Sequence, residues 1–381
     1  MKDLTPVLIL DGGLGTTLED KYHVDFSSDK TPLWSSHLLV SDQATLLACQ
    51  SEFANAGADV ILTATYQVSI EGFAATKTPE WPRGISIANI GQFLEDAVLI
   101  ASQAAPPESQ IALSLGPYGA TMIPSTEYSG VYDDEGVRNL SSWHYQRLML
   151  FAKVPKLLSR INLVALETIP RIDEIIVVRK MISEQRSRFS GSSGDKIIGK
   201  LPQNCLPMWI SCVYPGEDER LPDGGSVEDA VAAMLSSEVS AYVPWGIGIN
   251  CTKVGKLASL VKRYEKAVQG LIDTNILVDW PSLVLYPDGT NGEVYNTTTK
   301  TWELPEGRKA PEVPWEIQLA EVVNATMSRG EWRSILVGGC CKSTPSDIKR
   351  LRELFPVAQD GLSDADTQDE RIHDGLGSGS G

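Results

Sequence analysis

The chain has 381 residues, 42% of them hydrophobic, enough to bury one large core or two ordinary ones, and its formal net charge is −16. That charge opposes sequence-independent nucleic acid binding, which rests on Lys and Arg neutralising phosphates, and no apolar run approaches the ~18 residues of a membrane span. The hydrophobic stretch in MKDLTPVLILDGG is too short for a secretory leader, so a soluble, cytoplasmic protein with no nucleic acid or membrane partner is expected.

Eight short strand-like runs follow one another: VLIL (7–10), VILTAT (60–65), IALSL (111–115), LVALE (163–167), MWISCV (208–213), WGIGIN (245–250), SLVLY (282–286) and ILVGG (335–339). Most are separated by segments of helical spacing, such as 43–57, 91–105 and 314–330. Alternating strand and helix signals imply parallel βα units, and eight of them predict a closed (β/α)8 TIM barrel. No linker-like break divides the chain, so a single domain over residues 1–357 is preferred to a doubly wound pair. Residues 184–206 are rich in Ser, Gly and charge and are expected to form an exposed flexible loop before the fifth strand. From 358 to 381 the chain is polar and acidic and ends GLGSGSG, which reads as a disordered tail finishing in a linker.

In this architecture the active site gathers at the C-terminal ends of the strands. Asp11 follows the first strand in LDGGLGT, Glu167 closes the fourth in LETIP, Asn250 and Cys251 end the sixth, and Cys340 and Cys341 follow the eighth. Six cysteines are too sparse for a disulfide scaffold, so their position is the informative property. Strands six and eight of a closed barrel are two places apart, which lets Cys251, Cys340 and Cys341 converge. Three thiolates can hold zinc and leave a fourth place open. Adjacent ligands need an unusual backbone, for which Gly338 and Gly339 offer freedom. The competing reading is a pair of buried strand-end thiols or a vicinal disulfide. Cys49, Cys205 and Cys212 read as core or incidental residues.

The turn D-G-G-x-G departs from the dinucleotide fingerprint G-x-G-x-x-G. Gly12 and Gly13 instead allow a ligand to approach the backbone while Asp11 offers a carboxylate, although Asp11 could equally be a turn or cap residue. Glu167 is either an ion-pair partner in the rim or a site for a substrate ammonium group. Trp34, Tyr66 and Tyr118 lie in loops after the first three strands, where aromatic faces pack or hold a cation. None of His23, His37, His144 and His373 falls at a strand end, which argues against a histidine general base.

Taken in order, LDGGLGTTLE, LWSS, AGADVILTATYQVS, SLGPYGA with EYSGVY, ALETIP, GINC, YPDGTNGEVYN and GGCCKSTP resemble the successive motifs of the homocysteine S-methyltransferases, from about residue 7 to about 356. The resemblance implies a barrel in which Cys251, Cys340 and Cys341 bind one Zn2+ per chain and the homocysteine thiolate takes the open position. It also implies that Asp11 and Glu167 hold the homocysteine amino group, with Gly12, Gly13 and Thr65 nearby. Betaine-using relatives carry an aromatic residue where this chain has Thr168, and they possess a long C-terminal dimerisation arm. Both differences favour a sulfonium methyl donor, S-methylmethionine or S-adenosylmethionine, over betaine; a monomer or weak homo-oligomer is expected. Alternatives are methylation of selenocysteine and a non-enzymatic zinc-binding role.

Overall fold

The computed structural model of the chain describes residues 5–27, 30–155, 157–190, 206–290, 292–296, 301–304 and 312–356. Each of the eight apolar runs becomes a strand: β1 (Val7–Ile9), β2 (Val60–Leu62), β3 (Gln110–Leu115), β4 (Leu163–Ile169), β5 (Met208–Cys212), β6 (Gly246–Lys253), β7 (Ser282–Asp288) and, last in the chain, β10 (Ile335–Val337). An antiparallel hairpin, β8 (Val294–Asn296) with β9 (Thr301–Glu303), interrupts the alternation after β7 and was not anticipated from the sequence.

The eight strands form one parallel sheet in the order β1-β10-β7-β6-β5-β4-β3-β2. Its two edges meet at a parallel bridge between Leu10 and Val60. Backbone bonds from Asp11 N to the Val60 carbonyl (3.1 Å) and from Asp59 N to the Ile9 carbonyl (2.7 Å) complete the seam. Closure removes the exposed strand edges that an open sheet would present.

Strand periodicity sorts the side chains into two layers. Ile9, Ile61, Leu113, Leu166, Ile210, Ile249, Leu285 and Val337 point outward into the shell between sheet and helices. Leu10, Val60, Ala112, Ala165, Trp209, Val284 and Leu336 fill the barrel interior. Trp209 is completely buried there. Opposite it, β6 carries Gly246 and Gly248; a Cβ on Gly248 would collide with the Val284 carbonyl.

Two strands lose register near their C-terminal ends, β4 between Leu166 and Ile169 and β6 between Asn250 and Lys253. Each irregularity holds a residue in the left-handed region, Thr168 (φ 58°) and Cys251 (φ 46°). Bulges of this kind re-aim side chains at a barrel rim, and these two flank the residues of interest.

One boundary differs from the sequence expectation. Helix Ile172–Ser190 continues through the first seven residues of the segment 184–206, which had been read as loop. Glu, Gln and Arg are good helix formers, so composition rich in charge did not end the helix. Residues 191–205, with Cys205, and the tail from 357 onward, with His373, lie outside the described residues. Among the described residues no helix is long and apolar enough to cross a membrane.

Candidate metal centre

The ends of β6 and β10 bring Cys251, Cys340 and Cys341 together, with their sulfurs all within 4.8 Å of one another. Cys251 and Cys340 are joined as a disulfide, while Cys341 keeps a free thiol. The vicinal bond that the sequence left open is therefore not made; the partner of Cys340 comes from 89 residues away. Cys49 and Cys212 are buried thiols, as expected of core residues.

The glycines ahead of the pair act through space rather than through dihedral freedom. A Cβ on Gly338 would lie 2.7 Å from the Asp11 carbonyl oxygen, and one on Gly339 would strike the Ser343 side chain. The left-handed residue of the loop is Lys342 (φ 63°). Gly12 and Gly13 face the same loop: a Cβ on Gly13 would run into the Cys340 carbonyl, and the Gly13 N–H donates to the carbonyl and hydroxyl of Ser343 at 3.1 and 3.0 Å. The structure thus places the glycine turn after β1 against the cysteine loop.

The donor set fits a thiophilic metal ion. Tetrahedral ligation by thiolates about 2.3 Å from one zinc separates the sulfurs by about 3.8 Å, within the observed cluster, and reduction of the disulfide frees all three. Polar hydrogens already surround them. Asn250 Nδ2 lies 3.4 Å from Cys251 Sγ, the Thr168 hydroxyl 3.9 Å from the same sulfur, and the Tyr128 hydroxyl 4.0 Å from Cys341 Sγ. Such donors orient ligands and offset the charge of a thiolate set. Asn250 also grips Thr168, accepting from its N–H at 2.8 Å and donating to its hydroxyl at 2.7 Å.

Beside the sulfurs sit two buried carboxylates. Asp11 Oδ2 accepts from the Leu62 N–H at 2.8 Å, whereas its Oδ1 is buried with no partner among the described residues. Burial pushes the Asp11 carboxyl well above the usual range; the Leu62 bond opposes this, and the charge of Glu167 adds to it. Glu167 accepts from the Ser114 hydroxyl. Burial raises it to about 7 against the hydrogen bonds from Ser114 and Tyr286 and the charge of Arg147. Tyr286 in turn bonds Ser211 and accepts from Trp209 Nε1 at 3.2 Å. A paired, partly uncompensated carboxylate site of this kind attracts a cation with N–H donors.

Arg147, 3% exposed, supplies the nearby positive charge. It donates to the carbonyls of Gly116 (2.6 Å), Tyr66 (2.5 Å) and Thr65 (3.2 Å). Burial lowers its pKa to about 10, which leaves it charged at neutral pH. Thr65 is fully buried and spends its hydroxyl on the Ser114 carbonyl at 2.7 Å. Of the three aromatic candidates, Tyr66 packs its ring on Gly116 and its carbonyl accepts from Arg147 at 2.5 Å. Trp34 instead packs on Gly15 and Phe26, and Tyr118 packs on Tyr132 and Trp143.

The loop carrying Tyr118 is anchored by Glu174, which is fully buried and accepts from Tyr118 N and Tyr132 Oη, each at 2.7 Å. His144 Nε2 lies 2.8 Å from the same carboxylate. The sequence reading missed Ser114, Ser211, Tyr286, Arg147, Tyr128 and Glu174. For the first three, the available signal was parity: each lies two residues beyond an interior-facing neighbour on its strand.

The sequence profile described as homocysteine S-methyltransferase matches residues 8–355. The chain belongs to this family. Homocysteine S-methyltransferase 1 of Brassica oleracea var. italica is 26% identical over 90% of this chain and 91% of its own length. Homocysteine S-methyltransferase YbgG of Bacillus subtilis (strain 168) is also 26% identical, over 92% and 94%. Among solved structures, the oxidised form of the Escherichia coli homocysteine methyltransferase MmuM is 25% identical, with a TM-score of 0.60 over 91% of this chain and 95% of that one. Its metallated form has a TM-score of 0.59 at 24% identity, over 91% and 96%, a likeness of fold. The barrel architecture and the family therefore agree.

Proposed function

We propose that this homocysteine S-methyltransferase moves a methyl group from a sulfonium donor to the thiolate of homocysteine, with one zinc ion held by Cys251, Cys340 and Cys341. The observation that carries this reading is the convergence of three cysteine sulfurs within 4.8 Å at the C-terminal mouth of a barrel of this family. The metallated state of MmuM supports a metal at such a site. When bound, zinc supplies a Lewis acid that keeps an alkyl thiol, otherwise near pKa 8.5, in its thiolate form at neutral pH.

The protein's own groups then hold and orient the acceptor. The unpartnered Oδ1 of Asp11 and the carboxylate of Glu167 receive the homocysteine ammonium, which restores the charge that burial had made costly. Asn250 and Thr168 steady Cys251, and Arg147 fixes the carbonyl ends of the β2 and β3 loops around the mouth. In the transfer, the homocysteine sulfur attacks the donor methyl in line, a new S–C bond forms, and the old S–C bond leaves its electron pair on the donor sulfur. A thiolate and a sulfonium become two neutral thioethers, so exclusion of water favours the step. No proton moves, which suits a site lacking a histidine at any strand end.

The test is zinc content together with methionine formation from homocysteine, with S-methylmethionine, S-adenosylmethionine and betaine offered separately. About one zinc per chain and turnover with a sulfonium donor are expected. Turnover with betaine alone, or full turnover without zinc, overturns the reading.

A further inference from the structure

The reaction proposed above brings together two amino acids, and each carries an ammonium group that must be placed. Among the described residues, two buried carboxylate oxygens have no hydrogen-bond partner: Asp11 Oδ1 and Glu127 Oε2. Asp11 is assigned above to homocysteine. Glu127 is unused.

Glu127 lies in the loop between β3 and helix Asp134–Ala152 and is 7% exposed. Burial raises its pKa, with the Glu127 backbone and the Ser125 hydroxyl opposing. Its sequence neighbour Tyr128 puts its hydroxyl 4.0 Å from Cys341 Sγ, with 44% of the residue exposed. The loop is fixed from beneath, through the bonds of Tyr118 and Tyr132 to Glu174 and of Arg171 Nη1 to the Gly130 carbonyl (2.9 Å). Glu127 is therefore a buried carboxylate with one bare oxygen, next in the chain to the side chain that reaches Cys341.

We propose that Glu127 receives the α-ammonium of the methyl donor and so selects sulfonium compounds that carry an amino-acid head group. The assignment rests on the methyl-transfer reading. A sulfonium centre has no N–H to offer, so it leaves a bare buried oxygen unsatisfied, whereas an ammonium group satisfies it with a charge-assisted hydrogen bond. The same oxygen discriminates against betaine, whose quaternary nitrogen has no hydrogen to donate. Tyr128 then lies where an aromatic face can meet the sulfonium.

The experiment compares the zinc-loaded wild type with Glu127→Gln, using S-methylmethionine as donor and its des-amino analogue, dimethyl(3-carboxypropyl)sulfonium, as competitor. The KM for S-methylmethionine should rise about 10- to 100-fold, the loss of one charge-assisted bond, while the KM for homocysteine and the inhibition constant of the des-amino analogue stay within about twofold. Glu127→Asp, which keeps the charge, should recover part of the loss; this variant also covers failure of the Gln variant to fold. An equal change for both sulfonium compounds, or an unchanged KM for S-methylmethionine, overturns the role of Glu127 alone. Absence of wild-type turnover with every sulfonium donor overturns the methyl-transfer reading and this assignment with it.

Discussion

Asn250 and Cys251 are neighbours in the chain and also touch through their side chains, the amide Nδ2 of one lying 3.4 Å from the sulfur of the other. The contact exists because Cys251 adopts a left-handed φ of 46° and β6 loses register there, which folds the cysteine back over its neighbour. Replacing Asn250 by Ala removes both this contact and the grip on Thr168. Zinc affinity, measured by competition with a chromophoric chelator, should fall about 10- to 100-fold, the usual cost of losing a partner of a metal ligand.

The disulfide makes a separate prediction. Denatured without reductant, Cys49, Cys212 and Cys341 should react with a thiol reagent while Cys251 and Cys340 do not, and all five should react after reduction. Reduced protein should take up about one zinc per chain, and oxidised protein much less. Cys340→Ser should abolish zinc uptake even under reducing conditions; an unchanged zinc content would remove Cys340 from the ligand set.

The pH dependence follows from Glu167, raised by burial from 4.5 to about 7. In the ligand-free folded state it keeps a proton that the unfolded chain has released between those values. Its contribution to stability is thus complete below about pH 4.5 and is lost as pH rises to about 7. Holding an ammonium group requires the ionised form, so the KM for homocysteine should climb as pH falls below about 7. Glu167→Gln should flatten both profiles, in thermal unfolding and in steady-state kinetics, while zinc content is retained.

Trp209 should dominate the stability of the barrel interior. It is fully buried and donates to Tyr286, which in turn supports Glu167. Trp209→Ala should cost about 3–5 kcal/mol in urea denaturation. The same substitution should raise the KM for homocysteine, because Tyr286 loses the bond that positions it.

The barrel was legible because its strands are short, apolar and spaced by helical segments, and because a parallel sheet buries both faces of each strand. The hairpin formed by Val294–Asn296 and Thr301–Glu303 is harder to read, since each strand is only three residues long and neither is an apolar run. Cysteine convergence could be read from strand order, and Asp11 and Glu167 from their places at strand ends. Trp34 and Tyr118 are ambiguous in a sequence for a physical reason: an aromatic residue in a rim loop offers equal surface to a ligand or to its neighbours, and the fold packs Trp34 against Phe26 and Gly15 and Tyr118 against Tyr132 and Trp143. Arg147 sits on a helix well before β4, and Glu174 in the first turn of the helix after it reads as an ordinary acidic residue at a helix start, so no local pattern connects them to the mouth.

The seam between β1 and β2, with β10 on the other flank of β1, has a thermodynamic consequence. Asp11 follows the first strand and Cys340 the last, and Gly339 N–H donates to the Asp11 carbonyl at 3.1 Å. No fragment lacking either terminal strand can present the complete set of ligands, so the site exists only in the fully closed ring. Anything that binds there draws on the cooperative unfolding of the entire chain, adding about 2.7 kcal/mol when present at a hundred times its dissociation constant. A melting curve recorded with each candidate donor would therefore rank their affinities before any turnover is observed.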